Sequence, residues 1–167
     1  MEVMQAIRTR KSIRKYLPIP VEPDKLEQIA EAFRLAPSAR NIQGLKLLIV
    51  TDPAAKEKIR KASPSNHPMI TEAPVVLVGT SINQSVMSNG HRRDSVDVSI
   101  ALSFAMLEAQ TLGLGTCWMG NYTEPGLRAA LELSEETSIV AIMPLGYADE
   151  NPDPRPRKST SEVVAYI

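Results

Sequence analysis

Cysteine, histidine and aromatic residues are scarce in this sequence of 167 residues, and each shortage excludes a class of protein. Cys117 is the single cysteine, so no disulfide can form within the chain. The two histidines, His67 and His91, make a zinc cluster very unfavourable. One Trp, four Tyr and two Phe, with a formal net charge of zero, provide little stacking surface and no basic excess. Nucleic-acid binding is therefore disfavoured.

Long apolar runs are also missing. The N-terminal stretch MEVMQAIRTRKS lacks the apolar centre of a signal peptide, and no run approaches the roughly 20 residues of a membrane-spanning helix. We therefore expect no membrane partner and a cytoplasmic location. The chain length and the 43% of hydrophobic residues fit one domain with its own core, residues 1–167.

The apolar pattern predicts an α+β fold. Four stretches rich in β-formers are expected to be strands, mostly buried. They do not alternate strictly with helices, so a doubly wound nucleotide-binding fold is not expected. The predicted strands are LKLLIVT (45–51), APVVLVGTS (73–81), SIVAIMPLGY (138–147) and GTCWMG (115–120), the last being either a short strand or an extended turn. The predicted shorter helices are 2–9, one from Pro23 to before Pro37, 53–62 and 124–132.

A long helix is predicted from about Asp94 to Leu112, followed by Gly113 as a C-terminal stop. Its apolar residues cover nearly every side, which is typical of a helix buried in a core or in a subunit interface. Asp97 on this helix could orient a partner group or cap the helix start. Residues 149–167 follow the last strand as a proline-rich C-terminal arm.

Positive charge is concentrated at the two ends of the chain, in RKSIRKY (10–16) and RPRK (155–158). Arginine forks bind phosphate oxygens through paired hydrogen bonds, and a serine hydroxyl adds a donor. In the second segment, alternating Pro and Arg place Arg155 and Arg157 on one side of an extended backbone. A solvated basic face or a disordered tail explains either segment alone. The presence of both favours an anion site.

Two internal segments could contact a flat polar ring. APSARNIQG (36–44) carries the neutral side chains of Ser38, Asn41 and Gln43, which could equally bond their own backbone. LGLGTCWMG (112–120) has glycines that let a backbone approach a ring closely, although their spacing is not a dinucleotide fingerprint. Cys117 could be a nucleophile, but a buried thiol is favoured because both histidines are distant in sequence.

Taken in order, RKSIRKY, APSARNIQG, DVSIALSFAMLEAQTLGLGTCWMG and LGYADENPDPRPRK resemble the motifs of the FMN-dependent nitroreductase family over nearly the whole chain. The resemblance implies a mostly antiparallel central sheet flanked by helices, and a homodimer that shares two FMN sites across an interface containing the long helix. It implies hydride transfer from NADH or NADPH, or another donor, through flavin N5 to an electron-poor acceptor such as a nitroaromatic, quinone or activated alkene. A flavin-binding carrier or sensor without turnover is the alternative.

The resemblance also implies contacts with FMN at matching motif positions, with no catalytic acid or base and no metal. The N-terminal segment would contribute Arg10, Lys11, Ser12 and Arg14, and the arm Arg155, Arg157 and Lys158. The partner subunit's loop would contribute the residues at positions equivalent to Pro37, Ser38, Ala39, Asn41 and Gln43. Residues near the ring would be Asn66, Cys117, Trp118, Met119 and Gly120.

Three departures from the family pattern bear on substrate choice. Gly44 and Leu45 stand where many members have Pro-Trp, and Met69 stands where some members have a lysine near the flavin carbonyl. The segment 82–94 is short, whereas longer members build a substrate cover there. The acceptor and the preferred nicotinamide are therefore left open.

Overall fold

An antiparallel sheet lies at the centre of the protein, whose computed structural model describes residues 2–167. Its strands are β1 (Leu45–Val50), β2 (Val75–Ser81), β3 (Gly115–Thr116) and β4 (Ser138–Gly146). They are ordered β1-β2-β4-β3, and every neighbouring pair is antiparallel. The predicted α+β class and antiparallel sheet are thus confirmed.

Helices cover both faces of this sheet. They are α1 (Val3–Thr9), α2 (Pro23–Leu35), α3 (Pro53–Ala62), α4 (Met69–Glu72), α5 (Arg93–Thr111), α6 (Glu124–Ala130) and α7 (Thr160–Val163). At the start of α3, the Ala55 N–H donates to Asp52 Oδ2 at 2.7 Å, which satisfies an otherwise unpaired backbone donor. The sequence did not predict α4 or α7.

None of the helices in residues 2–167 is both long enough and apolar enough to cross a bilayer.

Strand β2 separates two hydrophobic cores because its side chains alternate between the faces of the sheet. Leu77 packs in a core with Phe33 of α2 and Leu102 of α5. Val76 packs on the opposite face, in a core with Ile59 of α3. All seven residues of β2 are buried, which confirms the predicted buried strand.

Strand β1 is an edge strand, so its predicted burial on both faces is wrong. Val50 is the one residue of β1 that is buried, and Ile49 is 37% exposed. Among the described strands, β1 pairs with β2 alone. A continuous apolar run indicates β-propensity, but it does not report how many neighbours a strand will have.

Strand β3 is shorter than the predicted segment 115–120. After Thr116 the regular pairing ends, although the Cys117 N–H still donates to Pro144 O of β4 at 3.3 Å and Met119 exchanges backbone hydrogen bonds of 2.9 and 3.0 Å with Ile142. The intervening residues are extended without regular pairing. Residues 117–119 therefore follow the edge of β4 with isolated hydrogen bonds instead of a continuous ladder.

Helix α5 packs its small and aliphatic side chains onto the sheet within a single chain. Leu102 and Ala105 are fully buried, whereas Phe104 is 44% exposed. Gly79 of β2 permits this approach, because a Cβ there would lie 2.6 Å from Leu102 Cδ1 and from Val98 Cγ1. The core part of the prediction is therefore confirmed for one face, and Phe104 marks the face that a single chain does not cover.

Replacing Leu102 by Ala should lower the free energy of unfolding by about 2–5 kcal/mol, because it removes a fully buried side chain from the core. Urea unfolding followed by circular dichroism measures the change. Leu35→Ala is the matched control, since Leu35 is 62% exposed and should lose less than about 1 kcal/mol. Equal losses in the two variants would contradict the assigned packing of α5.

Candidate functional site

The two ends of the chain meet beside β3 and the end of β4. The Ile13 N–H donates to Thr116 O, the Leu17 N–H to Tyr147 O, and the Asp149 N–H to Lys15 O, each at 2.9 Å. Residues 12–17 thus form a short extended segment that bridges β3 and the start of the arm. This pairing places RKSIRKY beside the GTCWMG segment.

Side chains reinforce the junction between the N-terminal segment and the arm. The Arg14 N–H donates to Glu150 Oε1 at 2.5 Å, and Lys11 Nζ donates to Asn151 Oδ1 at 2.8 Å. Tyr16 is buried, and its hydroxyl donates to Ile13 O at 2.6 Å. Burial raises the pKa of Tyr16, so its hydroxyl keeps its proton at neutral pH. The start of the arm is therefore fixed to the body by backbone and side-chain bonds.

A cleft of about 430 Å³ lies between these segments, and we call it the cationic cleft. Six cations and one carboxylate, Asp153, line it together with Ser12. Across residues 2–167, none of the six cations takes part in an ion pair. The six are Arg8, Arg10, Lys11, Arg14, Arg155 and Arg157. Unneutralised guanidinium groups that converge on one space form an anion site.

Lys158 is not among the residues that line the cationic cleft, although the sequence places it with Arg155 and Arg157. The arm continues past the cleft, and all residues from 153 to 167 are exposed on this chain. Val163, Val164, Tyr166 and Ile167 are exposed apolar residues at its end. These apolar side chains therefore find no cover on the body of their own chain.

The segment 117–120 follows Thr116, which forms a β-bridge with Ser12 of the cationic cleft. Cys117 is buried, and burial raises the pKa of its thiol, while Arg14, Ser12 and Arg10 lower it. No histidine contributes to that pKa, so the buried-thiol interpretation is favoured over a nucleophile. Met119 is buried, Trp118 is 36% exposed, and Gly120 has open space where a side chain would stand.

The loop 36–44 lies apart from the cationic cleft of its own chain, since none of its residues lines the cleft. The buried Asp97 of α5 holds it: Asp97 Oδ1 accepts a hydrogen bond from the Ala39 N–H at 3.0 Å. Of the two predicted roles for Asp97, orientation of another group is thus the one observed. The Gln43 N–H donates to Ser38 Oγ at 3.1 Å, which is the local backbone bonding left open above.

Three residues of this loop have left-handed backbone angles without being glycine. Arg40, Asn41 and Gln43 have φ values of 56°, 55° and 55°. Such conformations cost about 1–3 kcal/mol each for non-glycine residues, and they cluster where a backbone presents groups to a ligand or a partner. The anchoring by Asp97 therefore maintains a loop that the local sequence alone would not adopt.

Asn66, predicted near the ring, does not line the cationic cleft. It has a φ of 45°, and its Oδ1 accepts a hydrogen bond from Arg60 Nη1. The adjoining Ser65 Oγ accepts one from Asn121 Nδ2 at 2.8 Å. The loop 63–66 thus lies beside the residue that follows the 117–120 segment.

Comparison with known proteins identifies the family. The family model described as "Putative TM nitroreductase" matches residues 2–167. The chain belongs to the nitroreductase family.

Two relatives and one solved structure show the extent of the similarity. A Methanothermobacter thermautotrophicus protein named "Putative NADH dehydrogenase/NAD(P)H nitroreductase" is 33% identical over 93% of this chain and 82% of its own length. A Bacillus subtilis FMN reductase using NAD(P)H is 33% identical over 71% of this chain and 54% of its own. A crystal structure of a Clostridium difficile nitroreductase family protein has a TM-score of 0.89 at 26% identity, covering 99% and 98% of the chains.

The roles of two residues at or near the cationic cleft were not predicted from the sequence. Arg8 lines the cationic cleft, although only its place among the N-terminal cations pointed to it. Glu150 accepts a hydrogen bond from the Arg14 N–H and so orders the N-terminal segment. The sequence does not single it out, because it is one of three acidic residues early in the arm. Both contacts join residues far apart in the chain, and periodicity does not report them.

Asp97→Ala should release the loop 36–44 while leaving the core folded. Because the charge-assisted bond to the Ala39 N–H is lost, protection of that amide from hydrogen exchange should fall about 10- to 100-fold. Exchange followed by NMR or mass spectrometry measures it. Asp24→Ala, on the first turn of α2, is the control and should leave Ala39 unchanged. Unaltered Ala39 protection in Asp97→Ala would show that Asp97 does not anchor the loop.

Proposed function

We propose that this chain is an FMN-dependent oxidoreductase that takes a hydride from NADH or NADPH and passes it to a small electron-poor acceptor. The observation that carries the proposal is the cationic cleft, which opens beside an extended segment with free space at Gly120. The names of its relatives support it, since they include an FMN reductase and NAD(P)H nitroreductases. Nitroaromatics, quinones and activated alkenes are the acceptor classes that we propose.

The residues present fit FMN. Its phosphate carries up to two negative charges, and the converging Arg10, Arg155 and Arg157 have no ion-pair partner in the part of the chain described. Ser12 adds a hydroxyl donor. The extended segment 117–120, with no side chain at Gly120, leaves room for a planar ring beside it.

FMN, when bound, supplies the hydride chemistry. The contribution of the chain is electrostatic and positional. Against the larger raising effect of burial, Arg14 and Arg10 lower the pKa of Cys117, so their positive charge reaches the 117–120 segment. Cations placed in this way stabilise negative charge on a group lying along that segment. No side chain of this site is assigned as an acid or base.

A homodimer completes the proposed site. The loop 36–44 does not reach the cationic cleft of its own chain, and its anchored, strained conformation is suited to presenting polar groups to a neighbouring chain. The exposed Phe104 and the exposed apolar end of the arm are surfaces that a second copy would cover. We propose that the loop of one protomer meets the cleft of its partner.

The overall proposal is tested on purified protein by its visible spectrum and by anaerobic mixing with NADH or NADPH. We expect a yellow protein with a visible absorption band like that of free FMN. A reduced nicotinamide should bleach this band, and an acceptor should restore it. A protein that binds FMN but is reduced by neither nicotinamide would favour the carrier or sensor alternative. A protein that does not take up FMN would refute the proposal.

Arg10→Ala and Arg155→Ala should each weaken FMN binding by about 1.5–3 kcal/mol, because each removes a charge-assisted hydrogen bond to the phosphate. Fluorescence titration measures the dissociation constant. Riboflavin is the matched ligand control: it lacks the phosphate, so its affinity should hardly change. Arg34→Ala, on α2 and away from the cleft, is the matched variant. Unchanged FMN affinity in both variants would place the phosphate elsewhere.

Phe104→Asp should dissociate the proposed dimer, because it puts a charge on the apolar face of α5 that one chain leaves exposed. Sedimentation velocity measures the mass of the particle. Leu35→Asp is the control, since it adds the same charge at an exposed leucine on α2. A Phe104→Asp protein that sediments like the wild-type dimer would exclude this face of α5 from the interface. Leu102 and Ala105 are unsuitable for this purpose, because both lie in the core of one chain.

A further inference from the structure

The cationic cleft holds more positive charge than one phosphate can neutralise. Six cations and one carboxylate line it, whereas the phosphate of FMN carries at most about two negative charges. The remaining positive charges repel one another and have no ion-pair partner in residues 2–167. Such an excess is expected where a second anionic group binds.

The cations fall into an inner and an outer group. Arg10 and Arg14 lie within electrostatic reach of Cys117 and thus of the 117–120 segment. Arg8, on the last turn of α1, is not among the charges that act on Cys117, and it makes no side-chain hydrogen bond or ion pair within the described residues. Arg8 is therefore the cation that a phosphate lying against the inner group would leave unused.

A second groove of about 520 Å³ adjoins the cationic cleft, and we call it the neighbouring groove. Arg8, Lys11 and Pro154 line both spaces, so they form the ridge between them. Lys11 Nζ is oriented there by its bond to Asn151 Oδ1. The neighbouring groove also has the amide of Gln110 and apolar walls, including Leu114, which suit a nucleoside.

Two carboxylates near the ridge oppose anion binding, but neither neutralises Arg8. Glu150 lines the neighbouring groove, and its Oε1 is engaged by the Arg14 N–H. Asp153 lines the cationic cleft and forms no ion pair with its cations. The ridge therefore keeps its positive charge, which is available to a ligand.

We propose that Arg8, with Lys11, binds a second phosphate group, carried by the nicotinamide dinucleotide donor. The proposal rests on the proposed function, since it concerns the donor of that reaction. The phosphate could be the 2′-phosphate of NADPH or the pyrophosphate common to NADH and NADPH. The two sources share one chemistry and differ in their effect on selectivity: the first makes the enzyme prefer NADPH, and the second does not.

The test compares Arg8→Gln with Arg34→Gln in the FMN-loaded protein. Both changes remove one positive charge from an exposed helix, but Arg34 pairs with Glu31 far from the cleft. Steady-state kinetics give the KM for NADPH and for NADH. Calorimetric titration with adenosine 2′,5′-bisphosphate and with AMP gives dissociation constants that do not depend on turnover.

If the 2′-phosphate is bound, Arg8→Gln should raise the KM for NADPH and the Kd of adenosine 2′,5′-bisphosphate about tenfold or more, with little change for NADH or AMP. If the pyrophosphate is bound, the KM for both nicotinamides should rise together. Either result supports a second phosphate at Arg8. Arg34→Gln should leave all these values near those of the wild type.

Two results would overturn the inference. If only FMN affinity falls in Arg8→Gln, all six cations serve one phosphate. If only the free energy of unfolding falls, Arg8 acts on the C-terminal end of α1 and binds no ligand. Failure of the proposed function is a separate result, because the wild-type protein would then not bind FMN or not oxidise NADH and NADPH.

Discussion

The hydrogen bonds that hold residues 12–17 between β3 and the start of the arm are the constraint on which the site depends. They bring two cationic segments, about 140 residues apart in sequence, to opposite walls of one cleft. They also fix which side chains face it: Ser12 and Arg14 line the cleft, while Ile13 between them is buried in the core. A slip of one residue would bury the arginine and expose the isoleucine, so the hydrophobic core itself enforces the register of the anion site.

Much of the fold could be predicted because its signals are local. The prolines at the start of α2 and α3, the Asp52 cap of α3 and the apolar run of β2 report conformations that neighbouring residues decide. The edge position of β1 could not be predicted, since the number of partners of a strand depends on the whole topology. The pairing of the cationic ends was favoured by their chemistry and is observed. The bonds of Glu150 and Asp97, however, join distant segments and leave no periodic trace.

A single chain already forms one half of the proposed site. The cationic cleft is formed by the chain's own residues, whereas the loop 36–44 does not line it and is bonded to Asp97 in a conformation with three left-handed residues. A strained loop with a dedicated buried anchor is costly, and that cost is offset only where the loop contacts something. The apolar end of the arm points to the same need, because Val163 and Tyr166 find no cover on their own chain.

The repulsion among the cations of the cleft affects both the stability of the protein and its affinity for anions. The formal net charge is zero, yet six unpaired cations converge in one cleft, so the compensating acidic residues lie elsewhere on the surface. Mutual repulsion in the cleft lowers the stability of the empty protein, and an anion that binds there removes this repulsion as well as adding its own contacts. The same field attracts phosphorylated molecules before contact. A cleft whose cations repel one another therefore binds an anionic cofactor more tightly than the individual hydrogen bonds would suggest.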